Sequence, residues 1–258
     1  MIHLGTSGYS YAHWRRIFYP PGLPGSRWLE HYARMFSSVE LNATFYRLPT
    51  PQMVDSWRER TPRGFRFAAK GSRYLTHMKR LKDAGPGIDR YFELILRLGA
   101  KLPVVLWQLP PQMDRADPER LHQFLERLPA RRELRYAVEF RSAAWYTEEI
   151  CRVLQAHGAA FCEHDLVARL PPRLTGGFRY LRFHGATGMY EGRYGKRALR
   201  PWARDLRRWR GDAYVYFNND RFGHALRDAT DLGELLGDPL EWPDALRHPR
   251  RAHRAALE

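Results

Sequence analysis

The sequence predicts an α/β fold in which one domain forms a TIM-type (βα)8 barrel, and three observations carry that prediction. Eight short apolar segments of strand type recur along the chain, longer segments of helical period separate them, and 258 residues is a length at which such a barrel stays undivided. The strand segments are IHLGT (2–6), SVELN (38–42), FRFAAK (65–70), VVLWQ (104–108), RYAVEF (135–140), AAFCEHD (159–165), FRYLRFH (178–184) and AYVYFNN (213–219). Helical spacing with sensible ends runs over 26–36, 51–60, 87–98, 118–128, 145–157, 197–209 and 221–236. Strands alternating with helices imply parallel pairing, and eight such units imply closure. The sixth unit is the exception: Leu166 to Gly177 contains LPPRLTGG and has no helical period, so the barrel is expected to be irregular there. The domain is expected to occupy 1–238, followed over 239–258 by a basic, loosely ordered tail rich in Pro, Arg and His.

With 44% hydrophobic and 28% charged residues, the composition is that of a globular protein in water, and no apolar run approaches the ~20 residues of a membrane span. A membrane is therefore not an expected partner. The start, MIHLGTSGYS, carries no basic leader, apolar stretch or small-residue cleavage site, which places the protein in the cytoplasm. Cys151 and Cys162 are not at metal-ligand spacing and read as core residues of a reducing compartment. The 43 Lys and Arg against 28 Asp and Glu give a net charge of +15, which suits a nucleic acid or another polyanion as partner. The same excess arises without selection for binding when base composition favours arginine, and lysine stands only at 70, 79, 82, 101 and 196. RRELR, RPWARDLRRWRG and RHPRRAHR read as solvated helix faces and tail. The sequence does not set the oligomeric state.

Candidate functional residues follow from strand parity. Alternate residues of a barrel strand point inward, and this fold builds its sites at the C-terminal strand ends. If Val39 and Leu41 face the helices, Glu40 and Asn42 face inward, and the same rule selects Ala68 and Lys70, Glu139 and Arg141, Arg182 and His184, and Tyr216 and Asn218. Parity is ambiguous in the fourth and sixth strands, which end at Gln108 and Asp165. Burying so many charges costs several kcal/mol for each one left unpaired, so the ring reads as a site; mutual salt bridging that merely fills the interior is the competing explanation. Glu40, Glu139, Asp165 and His184 are ligand types for a divalent metal, but Lys70, Arg141 and Arg182 in the same mouth oppose a cation, so a metal is not favoured and no cofactor is assigned. No GxSxG, Walker or GxGxxG motif is present.

Loops add further candidates. GTSGYSYAHW places Ser7, Tyr9, Tyr11 and Trp14 above the first strand, and His77 follows the third. Asn218, Asn219 and Asp220 precede the last helix, where one of them is expected to act as its cap. Tyr190, Arg193 and Tyr194, in the glycine-rich HGATGMYEGRYG, are expected to form a mobile cover.

Taken together these stretches resemble the YecE-like family, domain of unknown function 72. The resemblance lies in GTSGYSYAHW with FYP (18–20), VELNATFYRLP (39–49), Trp57 with TP (61–62), FAAK (67–70), THMKRL (76–81), QLPP (108–111), AVEFR (137–141), YLRFHG (180–185) and VYFNNDRFGHA (215–225), and it covers positions 1 to about 237. It implies a TIM-type barrel and little about activity. The matching polar residues are Ser7, Tyr9, Glu40, Asn42, Lys70, His77, Gln108, Glu139, Arg141, Arg182, His184, Asn218, Asn219 and Asp220. Where the family pattern is expected to read EFRHxSW, this chain has EFRSAAW, with Ser142 in place of histidine.

The pattern points to an enzyme of hydrolase or isomerase type that acts by acid/base catalysis on a phosphorylated or otherwise anionic substrate, a nucleic acid or a sugar phosphate. Glu139 or Glu40 would transfer the proton with His184 as partner, and Lys70, Arg141 and Arg182 would clamp the anion. The alternative is a protein that binds nucleic acid or a small anion without chemistry.

Overall fold

A computed structural model describes residues 1–168 and 170–240 of the chain. The tail expected beyond 238 therefore lies almost entirely outside the described residues. Nine parallel strands run through this region: β1 (Ile2–Thr6), β2 (Ser38–Leu41), β3 (Arg66–Lys70), β4 (Val104–Leu109), β5 (Arg135–Phe140), β6 (Ala160–Phe161), β7 (Glu163–His164), β8 (Arg179–Phe183) and β9 (Ala213–Phe217). They form a four-stranded sheet in the order β1-β9-β8-β7 and a five-stranded sheet in the order β2-β3-β4-β5-β6.

The helices are α1 (Trp28–Met35), α2 (Ala43–Tyr46), α3 (Pro51–Glu59), α4 (Gly85–Ile95), α5 (Pro118–Glu126), α6 (Glu148–Ala156), α7 (Gly195–Arg208) and α8 (His224–Leu236). Local chemistry sets several of their starts. Thr50, Asp117 and Thr147 each accept the third backbone N–H of α3, α5 and α6, and proline opens α3 and α5. The seven helical segments read from the sequence are all present, with ends shifted by at most three residues. Shorter elements escaped that reading: the single turn α2, a π-helical turn at Tyr74–Met78 and 3-10 turns at Ala12–Trp14 and Ala143–Trp145. Each is too short to carry a periodic signal.

The predicted closed eight-stranded barrel appears as two sheets, and the two seams between them show why. At one seam Tyr32 inserts its hydroxyl between β1 and β2: it accepts the Thr6 N–H at 2.9 Å and donates to the Ser38 carbonyl at 3.0 Å. A side chain thus does the work of the ladder, and direct pairing is limited to a Ser7–Glu40 bridge, with the Gly8 N–H donating to the Glu40 carbonyl at 2.8 Å. Gly5 permits this approach, since a Cβ there would lie 2.1 Å from the Ser38 carbonyl oxygen. At the other seam the predicted sixth strand is two pieces that change partner at Cys162. Ala160 and Phe161 pair with β5, whereas Glu163 and His164 pair with β8. Among the described residues between His164 and Arg179 no helix forms, as expected from the sequence.

Two apolar clusters follow. The larger packs the helices onto the strands. The smaller lies among the strands and holds Ala68, Leu106, Ala137, Cys162, Tyr180 and Tyr216. Its members carry the inward parity, so the side chains two residues further along β3, β4, β5 and β8, namely Lys70, Gln108, Glu139 and Arg182, stand on top of it.

A candidate site at the strand ends

Arg182 organises the site. Its guanidinium is fully buried; Nη2 donates to Glu40 Oε1 at 2.7 Å and Nη1 donates to Glu139 Oε2. Glu40 accepts two more hydrogen bonds, from Ser7 Oγ and the Tyr180 hydroxyl, both at 2.6 Å. Glu139 Oε1 accepts from Arg141 Nε at 2.7 Å. Burial by itself would raise both carboxyls, but Arg182 together with the other cations and hydrogen-bond donors around them outweighs it, holding Glu40 below the usual carboxylate range and Glu139 well below it. Both are therefore fixed, ionised partners of arginine, and two carboxylates balance two guanidinium groups.

Lys70 has no such partner. It is 6% exposed at the end of β3, lies 4.1 Å from the Phe45 ring centre, and makes no ion pair or hydrogen bond through Nζ among the described residues. Burial, and then the Arg182 charge, push its ammonium down to about 7.

His184 is enclosed. The Asn218 amide nitrogen lies 3.1 Å from Nδ1, and Nε2 lies 3.4 Å from Arg182 Nη1 and 3.6 Å from Glu139 Oε1. Burial lowers its pKa to about 4, so the ring is neutral at pH 7. The His184 backbone N–H donates to Asp165 at 2.9 Å, and the exposed Asp165 side chain also accepts from the Tyr194 hydroxyl.

Above this floor lies a cavity of about 570 Å³. Lys70, Asn42, Asn218 and Tyr11 face it, Tyr190 covers it, and the Arg141 guanidinium donates to the Tyr190 hydroxyl at 3.3 Å. On one wall His13 Nε2 meets Asp220 at 2.7 Å, and the Trp14 indole N–H donates to both Asp220 oxygens at 2.8 and 2.9 Å. Burial raises Asp220 to about 6. A larger groove of about 930 Å³ between the 79–87 loop and α5 contains none of these groups.

The structure thus gathers Ser7, Glu40, Asn42, Lys70, Glu139, Arg141, Arg182, His184, Asn218 and Asp220, and buries Gln108 at the end of β4. Asn42 Oδ1 and Gln108 Oε1 are buried without a hydrogen-bond partner among the described residues. Three predicted residues turn elsewhere. Tyr9 packs outward against Tyr32 and accepts the Trp57 indole N–H at 3.1 Å. Asn219 donates to Gly192 and Asp228 at 2.9 and 2.7 Å. His77, half-buried in the π-turn, sits edge-on to Phe45 behind Lys70 and is lowered to about 4 by burial and the Lys70 charge.

None of Asn218, Asn219 and Asp220 caps α8, which begins after Gly223 at φ 71° without a side-chain cap, because Asp220 is taken by His13 and Trp14. Of the expected cover, only Tyr190 reaches the cavity. Arg193 donates to Asp231 at 2.6 Å, and Tyr194 is tied to Asp165 and Gly185.

Sequence reading missed His13 and His164. Cys162 lies in the inner cluster, so its parity could have assigned His164 to the floor. Donor atoms of Glu139, His164 and His184 lie within 4.8 Å of one another, a spacing that would suit a metal ion. The donors are poorly disposed to take one: His164 Nε2 bonds the Phe140 carbonyl at 2.8 Å, its Nδ1 accepts the Leu166 N–H at 3.2 Å, and arginines occupy both Glu139 oxygens.

Fold and site together define an α/β protein of parallel strands whose charged groups converge at the C-terminal strand ends. The chain belongs to the family described as protein of unknown function DUF72, whose model matches residues 3–252. It is similar to the UPF0759 protein YecE of Escherichia coli K12, 31% identical over 148 residues, which are 57% of this chain and 51% of YecE; the match thus spans about half of that relative's length. It is 26% identical over 271 residues to the UPF0759 protein YunF of Bacillus subtilis, covering 92% of this chain and 95% of YunF. A crystal structure of a DUF72 family protein from Thermotoga maritima superposes with a TM-score of 0.80 at 30% identity, covering 92% of this chain and 99% of that one. No helix among the described residues is long and apolar enough to cross a membrane.

Proposed function

We propose that the protein is an enzyme that acts on a phosphorylated or otherwise anionic substrate in the strand-end cavity, and that its two sheets are halves of one (βα)8-type barrel with that cavity as its mouth. The barrel reading is supported by the Ser7–Glu40 bridge at one seam, the run 160–164 that serves both sheets at the other, and the inner cluster between them.

One observation carries the functional reading: the floor's carboxylates and guanidinium groups balance, whereas the buried Lys70 ammonium faces the cavity without a counter-ion. An uncompensated buried cation costs several kcal/mol, and a bound anion offsets that cost. Lys70 is the primary contact, with Arg141 beside it. Arg182 is committed to two carboxylates and sets the floor's geometry and potential. Glu40 and Glu139, held ionised, act as fixed counter-ions for it more readily than as proton carriers. Lys70 titrates near neutrality, where proton transfer is most effective, and His13 backed by Asp220 is the accessible imidazole of the same cavity.

A thermal-shift series at low salt tests this reading with inorganic phosphate, sugar phosphates, nucleotides and short DNA. Stabilisation of the wild type by a small phosphate compound, absent in Lys70→Met, is the expected result. A second reading, nucleic-acid binding without chemistry, is favoured by Arg197, Arg200, Arg204 and Arg208, which line one face of α7, exposed and without ion pairs among the described residues. Stabilisation by DNA alone, fading as salt rises, would favour that reading over the enzyme.

A further inference from the structure

We propose that Lys70 Nζ is a nucleophile that condenses with the carbonyl carbon of an anionic aldehyde or ketone, so that the cavity handles its substrate as a covalent iminium. This rests on the reading of the cavity as an anion site and adds the second functional group of the substrate.

Comparison of the chain's five lysines singles out Lys70. Lys196 pairs with Glu234. Lys101 spends its protons on the Arg58 and Thr61 carbonyls and Thr61 Oγ1, at 2.5, 2.6 and 3.0 Å. Lys79 and Lys82 border the outer groove. Lys70 alone is buried, faces the strand-end cavity and, among the described residues, has no hydrogen bond to break before it reacts. The charged or titratable groups around it are Arg182, Arg141, Glu40, Glu139 and His77. Burial, and then Arg182, favour the neutral amine, the reactive form, against the opposing pull of Glu139 and Glu40. With Lys70 committed to the carbonyl carbon, Arg141, with Tyr190 on its guanidinium, is left to hold the substrate's anionic group.

The step balances without a redox partner. The Nζ lone pair forms the C–N bond while the carbonyl π pair moves to oxygen. That oxygen takes one proton from Nζ and one from the His13–Asp220 pair, and leaves as water. Nitrogen keeps one hydrogen as a cationic iminium, which acidifies the neighbouring C–H bonds and suits chemistry of the isomerase or lyase kind. Hydrolysis returns the free amine.

Pyridoxal 5′-phosphate, an aldehyde bearing a phosphate, is the probe. The full chain is incubated with it, reduced with borohydride and mapped by peptide mass spectrometry, beside Lys70→Arg and beside pyridoxal, which lacks the phosphate. The expected result is a reduced adduct on Lys70 at least tenfold above any other lysine, absent from Lys70→Arg, and several-fold weaker with pyridoxal. Labelling confined to Lys79, Lys82, Lys101 or Lys196 overturns the proposal, as does an adduct at Lys70 no greater than theirs. Equal labelling by pyridoxal overturns its anionic half. If Lys70 stays unlabelled while inorganic phosphate still stabilises the wild type and not Lys70→Met, the covalent step falls and the anion site stands.

Discussion

Replacing Arg182 with methionine removes the one cation shared by two fully buried carboxylates. Glu139 keeps the Arg141 contact at 2.7 Å, whereas Glu40 keeps only hydroxyl donors, from Ser7 and Tyr180 at 2.6 Å. Breaking a buried pair from one side costs about 3–5 kcal/mol because an uncompensated charge remains. For a protein of this size that corresponds to a fall in Tm of roughly 6–20 °C. The pH dependence separates this mechanism from simple loss of packing. In the wild type both carboxyls are depressed below 4.5, so their contribution is present above that value and is lost only as pH falls further. In the variant, burial raises the Glu40 carboxyl above 4.5, so the penalty is full at pH 7 and shrinks as pH falls towards 5. Urea unfolding of both proteins at pH 7, 6 and 5 is the assay. A loss below about 1 kcal/mol at pH 7, or one that does not change with pH, would show that Arg182 is not what compensates a buried Glu40 charge.

Lys70→Met should stabilise the protein at pH 7 by on the order of 1–4 kcal/mol, because the ammonium is driven from 10.5 to about 7 in the folded state. Between those values the unfolded chain binds more protons, so wild-type stability rises with pH and the variant's advantage fades; urea midpoints from pH 6 to 10 test this, and a destabilised variant contradicts it. Tyr32→Phe leaves the Thr6 N–H and the Ser38 carbonyl without their shared hydroxyl, at a cost of about 2–3 kcal/mol readable as a lower urea midpoint. Gly5→Ala places a methyl 2.1 Å from the Ser38 carbonyl oxygen and should cost more than about 3 kcal/mol; a variant as stable as wild type would show that β1 and β2 do not approach so closely.

Much of this architecture was legible in the sequence because buried parallel strands leave apolar runs and amphipathic helices leave a 3.6-residue period. Parity then placed Lys70, Glu139, Arg182 and His184 together, since their apolar neighbours have to face the helices. The sixth strand misled, because Glu163 points outward yet is buried: it pairs with Arg179 at 2.6 Å, so a buried carboxylate marks no interior there. His13 and Asp220 lie 207 residues apart, and no local pattern announces a pairing between two loops. Nor does parity reveal that Arg182 satisfies both glutamates while Lys70 goes without, since that depends on side-chain reach.

The most direct test is to follow the five lysine side chains by NMR through a pH titration, first alone and then with inorganic phosphate. One lysine, lost in Lys70→Met, should titrate near 7 in the free protein and move upward when phosphate binds beside it. Five lysines that all titrate near their ordinary ~10.4, or a Lys70 whose titration phosphate leaves unmoved, would contradict the claim that an uncommitted Lys70 holds the ligand.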